Sequence, residues 1–237
     1  MQLSRRLKAV ADTVTIGNRV ADVGCDHAYI SIYLIENDIA PNVIAMDVNK
    51  GPLKRAAENV DSHGYRNRIQ TRLSDGLHQL GPGEADTILI AGMGGALMIK
   101  IMEEGMGAVH KSRELILQPQ SEIFLVRKYL HQIGYCIEKE QMVKEDGKYY
   151  FIIKAEAIKA ETIVENEMYD REVFYQYGKL LLEQREPLMK EYLDREGRIR
   201  TEVMKELKAN PTEKAKVRLE EVNQEIAYIE EASYYYK

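Results

Sequence analysis

Four stretches of this sequence place carboxylates or glycines directly after short apolar runs, where chemistry could be done on a bound ligand. The first is Val20-Ala21-Asp22-Val23-Gly24-Cys25-Asp26-His27-Ala28. Gly24 permits a tight turn there, and the helix expected next presents free backbone N–H groups. The dinucleotide fingerprint G-x-G-x-x-G is absent, because Asp26 and His27 follow Gly24 and no third glycine opens the helix. Asp22 and Asp26 would repel a pyrophosphate but would suit the ammonium and sulfonium of S-adenosylmethionine, directly or through water. The second stretch ends in Asp47 and Val48; Asp47 stands 25 residues after Asp22, close to the offset at which such folds bind the two hydroxyls of a ribose. The third, Ser74-Asp75-Gly76-Leu77, offers Asp75 as acceptor for an adenine amino group, with Gly76 keeping the turn open. The fourth, Ala91-Gly92-Met93-Gly94-Gly95, leaves bare backbone for a ligand at Gly92 and Met93.

Parallel strands would bring these stretches together, since ligands bind beyond the carboxyl ends of an open α/β sheet. Leu3, Leu7, Val10, Ala11 and Val14 have the spacing of an opening helix over 3–14. Strand-like runs then alternate with helical ones: 19–23 and 28–36, 43–47 and 53–62, 69–73, 87–91 and 96–103, 115–118 and 123–131. Two further runs, 135–143 and 149–157, flank Asp146-Gly147 and predict an antiparallel hairpin. The expected fold is therefore α/β, a Rossmann-like, mostly parallel sheet with a terminal antiparallel hairpin. Beyond Ala157 the strand signals stop. Phe174, Tyr177, Leu181, Gln184 and Leu188, then Ala215, Leu219, Val222, Ile226 and Ile229, predict a coiled-coil-like helical pair turning at Asn210-Pro211, with Pro187 kinking or dividing the first helix. The expected domains are residues 1–157 and 158–237.

The composition, 45% hydrophobic and 30% charged over 237 residues, is that of a globular protein. No segment approaches a membrane span and the N-terminus has no secretory pattern, so the expected location is the cytoplasm. A net charge of −5 argues against coating nucleic acid by bulk electrostatics, but Arg5, Arg6, Lys8 and Arg19, and separately Lys54, Arg55, Arg66, Arg68 and Arg72, form local basic clusters. Cys25 and Cys136 lack the spacing of a metal or redox pair and are expected to be buried thiols.

Taken together, Ala21-Asp22-Val23-Gly24-Cys25-Asp26-His27-Ala28-Tyr29, Asp47-Val48-Asn49-Lys50-Gly51-Pro52-Leu53, Ser74-Asp75-Gly76-Leu77, Ala91-Gly92-Met93-Gly94-Gly95, Gln118-Pro119-Gln120 and Glu145-Asp146-Gly147-Lys148-Tyr149-Tyr150 resemble the bacterial tRNA (adenine-22-N1)-methyltransferase family, TrmK. The resemblance spans roughly residues 1–155 and, less specifically, the tail. It implies S-adenosylmethionine as methyl donor and N1 of adenine 22 in the D-arm region of tRNA as acceptor. Relative to the general acid-x-Gly-x-Gly-x-Gly pattern, Asp26 and Ala28 occupy the later glycine positions, and the Asn/Asp-Pro-Pro-Tyr/Phe motif of many amino-group methyltransferases is missing. On this reading Asp22, Gly24, His27, Asp47, Val48, Asp75, Gly76, Gly92 and Met93 hold the cofactor. Asp26 and His27 are the catalytic candidates, and Arg5, Arg6, Lys8, Arg19, Lys54 and Arg55 the tRNA contacts. No metal and no obligate protein partner are expected. The residues alone also leave open a methyltransferase of a small molecule or protein, a nicotinamide oxidoreductase, and a non-catalytic RNA-binding or scaffold protein.

Overall fold

The computed structural model describes residues 2–158 and 169–237. The chain divides into two compact units, Met1–Asn166 and Glu167–Lys237; residue 157 is the last of a strand.

In the first unit the strands are β1 (Val20–Val23), β2 (Val43–Asp47), β3 (Ile69–Leu73), β4 (Thr87–Met93), β5 (Glu114–Pro119), β6 (Tyr135–Glu145) and β7 (Lys148–Ala157). They form one sheet in the order β3-β2-β1-β4-β5-β7-β6. The first five run parallel; β7 pairs antiparallel with β5, and β6 antiparallel with β7. Asp146 and Gly147 both have positive φ, 48° and 74°, as a two-residue hairpin turn matching the strands' twist requires. The intervening helices are α1 (Arg5–Ala11), α2 (Tyr29–Glu36), α3 (Lys50–Ser62), α4 (Gly95–Glu104), α5 (Met106–Val109) and α6 (Ile123–Gln132). The short α5 has too few residues for a periodic signal, and no expectation covered it.

Every residue of β1 and β5 is buried, which is why both, apart from the buried polar Asp22, Glu114 and Gln118, read as apolar rather than as alternating. Leu89, Ile116 and Ile152 meet Val10, Ile32, Ile35 and Val60 in one apolar cluster beneath α1, α2 and α3. By strand alternation Ile88, Ile90, Leu115 and Leu117 serve the other face. Helix α1 is shorter than the 3–14 expected: Ser4 caps its start, its Oγ accepting the Leu7 N–H, and the helix closes at Asp12, whose N–H donates to the Lys8 carbonyl. It packs on the hairpin, where the Gln141 amide donates to the Ala9 carbonyl (3.0 Å) and to Thr13 Oγ1 (2.6 Å). Cys25 is buried, but Cys136 is exposed, against expectation: it lies on the outward side of β6, at the sheet's edge.

At the strand starts, Glu114 accepts hydrogen bonds from the Thr15 N–H (3.0 Å), Thr15 Oγ1 (2.6 Å) and Thr87 Oγ1 (2.6 Å), and pairs with Lys154 (2.9 Å). Burial alone would raise its pKa; these donors more than offset it and hold the carboxyl below its ordinary value.

The second unit contains α7 (Glu172–Tyr177), α8 (Lys179–Glu183), α9 (Pro187–Ala209), α10 (Glu213–Ser233) and a closing 3-10 turn, Tyr234–Tyr236. The seam over Ala215, Val222 and Ile229 is buried in α10 as its spacing predicts. The seam from Phe174 to Leu188 is not one helix. Positive φ at Gly178 (87°) and Arg185 (53°) interrupts it, and Pro187 opens α9 at a position that needs no N–H. The long pair is therefore α9 with α10, and Met189 and Leu193, rather than Gln184, are buried. Among the described residues no helix is long and apolar enough to cross a membrane.

Candidate active site

The order of the sheet reverses between β1 and β4, so the crevice beyond their carboxyl ends is where the topology itself leaves room for a ligand. A cavity of about 230 Å3 occupies that place, lined by Arg6, Leu7, Asp22, Gly24, Cys25, Asp26, His27, Tyr29, Ile30, Ala91, Gly92 and Gln120.

Its inner wall is the turn from β1 into α2. The Gly24 and Cys25 N–H groups both donate to the Met46 carbonyl (2.8 and 2.9 Å), which folds the turn over the end of β2. Gly24, Asp26 and Ala28 have φ of 74°, 49° and 58°. The turn thus keeps left-handed torsions, which favour glycine, at positions where this chain carries Asp and Ala. Asp22 is 3% exposed, and its Oδ2 accepts the Ser31 hydroxyl at 2.6 Å. Burial pushes its carboxyl up to about 6 despite the Ser31 hydrogen bonds, and neighbouring Asp47 adds to the rise. Burial likewise raises the Cys25 thiol, with Asp22 and Asp47 adding to it, so Cys25 stays protonated and is no nucleophile.

Outside this wall Asp26 is largely exposed, with Oδ1 3.6 Å from His27 Nε2. The His27 ring stacks on Tyr29, centroids 5.2 Å apart and planes 9° from parallel. The Asn59 amide donates to the His27 carbonyl at 3.0 Å and ties the turn to α3. Together these give the cavity a flat aromatic ledge beside a carboxylate.

The three glycines after β4 divide their work. Gly92, at a bulge in the β4–β5 pairing and with φ of 79°, opens onto the cavity: an added Cβ would meet Arg6 Nη1 at 3.7 Å and Gln120 Nε2 at 3.8 Å. Gly95 serves packing instead, since a Cβ there would stand 2.7 Å from the Ser121 carbonyl oxygen and 2.8 Å from that of Glu122. Gly94 faces Ser121 Oγ, and the Glu122 carboxylate accepts the Ala96 N–H at 3.0 Å, engaging the start of α4 from within the chain. Met93 reaches across to Gly24, where its Cε would collide with an added Cβ.

Of the residues expected to hold a cofactor, Asp22, Gly24, His27 and Gly92 line this cavity, and Asp47, Val48, Asp75, Gly76 and Met93 do not. Asp47 is buried at the end of β2 with Oδ1 accepting the Asn49 N–H at 2.8 Å. Val48 is exposed beside it. Asp75 is exposed after β3, where Ser74, buried, donates its hydroxyl to the Gly76 carbonyl (2.8 Å).

The basic residues separate. Arg6 lines the cavity; its Nη1 donates to Gln118 Oε1 at 2.7 Å, and its guanidinium lies 5.2 Å from the centroid of the Tyr150 ring. Arg5 and Arg55 are exposed. Lys54 is paired along α3 with Glu58 (3.8 Å) and Lys8 along α1 with Asp12. Arg19 lies at the start of β1, at the other end of the sheet, held by Asp86 at 2.9 and 3.2 Å. Arg66, Arg68 and Arg72 are paired with Asp61, Asp38 and Glu84. Sequence reasoning missed Leu7, Cys25, Tyr29, Ile30, Ala91 and Gln120 as cavity residues. The motif Gln118-Pro119-Gln120 was a visible signal, whereas the docking of α1 across 112 residues of sequence was not.

A family model described as a methyltransferase domain matches residues 3–153, and with this strand order and this crevice the chain is a Rossmann-like methyltransferase. The tRNA (adenine(22)-N(1))-methyltransferase of Bacillus subtilis (strain 168) is 40% identical over 157 residues, a match spanning 66% of this chain and 66% of that one. The crystal structure of the B. subtilis m1A22 tRNA methyltransferase TrmK superposes with a TM-score of 0.85 at 31% identity, over 98% of each chain. The solved structure of M. capricolum TrmK with S-adenosyl-homocysteine gives a TM-score of 0.86 at 25% identity, over 100% of each chain. The chain belongs to the tRNA (adenine(22)-N(1))-methyltransferase family.

Proposed function

We propose that this chain transfers a methyl group from S-adenosylmethionine to N1 of adenine 22 of tRNA. The observation that carries the proposal is the pairing, in one crevice, of a buried carboxylate at Asp22 with an open face at Gly92, beside the aromatic ledge of His27 and Tyr29. S-adenosylmethionine supplies an electrophilic methyl group when bound. The residues fit it: Asp22 and Asp47 place negative charge at adjacent strand ends for cationic and hydroxyl groups, and the exposed Val48 offers an apolar surface beside them.

Adenine N1 carries an in-plane lone pair, so a bond forms from N1 to the methyl carbon as the carbon–sulfur bond breaks and the sulfur keeps the electron pair. No proton has to leave first. The chain's task is to align and desolvate, and to receive positive charge on the base. Asp26, exposed at the cavity mouth, is the group for that charge, and the ledge supplies a stacking surface for a base drawn out of the tRNA. The tRNA approaches the carboxyl side of the sheet, with Arg5 and Arg55 as phosphate contacts. A soluble, cytoplasmic location accords with this substrate.

The test is transfer of labelled methyl to unmodified transcripts carrying adenine or guanine at position 22, with the product mapped. Label appearing as 1-methyladenine at position 22 only in the adenine transcript is the expected result; no transfer to either transcript by a protein that binds the cofactor overturns the proposal. Asp26→Asn keeps a residue type that tolerates the left-handed torsion while removing the charge, and is expected to lower kcat roughly ten- to a hundredfold with cofactor affinity unchanged.

A further inference from the structure

Gln118-Pro119-Gln120 closes β5 with two glutamines in opposite circumstances. Gln118 is fully buried and its amide is committed: Oε1 accepts Arg6 Nη1 at 2.7 Å, and Nε2 donates to the Pro119 carbonyl at 3.2 Å. Arg6 is thereby fixed between Gln118 and the Tyr150 ring. Gln120 is exposed, with its backbone N–H donating to the Met93 carbonyl at 2.9 Å, so the backbone of the residue is anchored to the end of β4. Its side-chain amide lies on the cavity wall, where it and the Arg6 guanidinium both stand within 4 Å of the place a Gly92 Cβ would take. Among the described residues that amide makes no hydrogen bond.

We infer that Gln120 reads the acceptor base, its carboxamide pairing with the N6 amino group and N7 of adenine, while Arg6, held by Gln118, walls the subsite. This deepens the proposed function and rests on it. A carboxamide offers one acceptor and one donor side by side, the complement of adenine's N6–H and N7. Reading that edge leaves the N1 lone pair unengaged and free to take the methyl group, whereas a protein donor placed at N1 would block the reaction. Guanine presents two acceptors, O6 and N7, to the same amide and loses one of the two hydrogen bonds. The missing Cβ at Gly92 lets the base edge come close to the backbone beside the amide.

The experiment compares the full-length wild type with Gln120→Ala on two tRNA transcripts, one with adenosine and one with 7-deazaadenosine at position 22, the latter lacking the N7 acceptor. Cofactor affinity is measured by calorimetry on the same proteins. Wild-type inactivity on the adenosine transcript would count against the proposed function itself, before Gln120 is considered. With an active wild type, Gln120→Ala is expected to lose roughly ten- to a hundredfold in kcat/KM on adenosine with cofactor affinity unchanged. The wild type is expected to lose about tenfold on 7-deazaadenosine, and the variant nothing further. Wild-type kcat/KM in Gln120→Ala, a variant as sensitive to the 7-deaza change as the wild type, or a loss confined to cofactor binding each overturns the inference.

Discussion

Asp22 opposes folding at neutral pH. Its carboxyl titrates near 6 in the fold and near 4 in an unfolded chain, so between those values the folded protein holds a proton that the unfolded one has released. The group's contribution is best below both values and worsens as pH rises to 6, by about 3 kcal/mol in all. Asp22→Asn removes that dependence. The variant's melting temperature is expected to exceed the wild type's by several degrees at pH 8 and to approach it at pH 4; a larger difference on the acid side would refute the assignment. On the proposed reading, a cationic group seated beside Asp22 draws its pKa back down, so wild-type affinity for S-adenosylmethionine is expected to rise between pH 5 and 7 and that of the variant to stay flat. Glu114 works in the opposite sense, because its pKa is lowered: its contribution is present above the ordinary carboxylate range and is lost as pH falls through the folded value.

At the scale of elements, the start of α4 and the turn after β5 touch backbone to backbone through Gly95. Gly95→Ala drives a methyl group into two carbonyl oxygens that cannot swing aside, and is expected to cost about 1–3 kcal/mol, read as a lower melting temperature. Gly92→Ala meets only side-chain ends at ordinary contact distance, but its φ of 79° strains any residue with a Cβ, so it is expected to cost about 1–2 kcal/mol and to lose methyl transfer. Sequence reading could not separate these two glycines, because both follow the same strand and the difference lies in what faces them. It did find the strands of the first unit and their order along the chain, since buried parallel strands show themselves as short, mostly apolar runs and the Asp146-Gly147 turn fixes the hairpin. It read the helical tail's second seam and misread the first, where two short helices and the start of the long α9 share a periodicity that a single helix would also show. The carboxylates at the strand ends were legible because they are local to each strand. That Arg6 and Gln120 share one cavity was not, because they meet only after α1 has crossed to β5.

For the whole molecule, the net charge of −5 leaves little bulk attraction for RNA, so a few placed cations have to do the steering. Arg5→Ala and Arg55→Ala are expected to weaken tRNA binding and to reduce the salt dependence by about one unit of slope per contact, while Arg19→Ala, whose guanidinium is engaged by Asp86 at the far end of the sheet, leaves both unchanged. Equal effects from all three would show that charge acts diffusely rather than at these positions. The cavity also depends on residues far apart in the chain. Arg6 and Leu7 belong to the first helix, and what holds that helix is Gln118, Gln141 and Tyr150. On a ribosome the N-terminal helix therefore emerges long before the surfaces it docks on, and has to wait for the closing hairpin to leave the exit tunnel. The pocket is among the last features of its unit to be completed, so a nascent chain still lacking that hairpin has most of its sheet but no closed binding site.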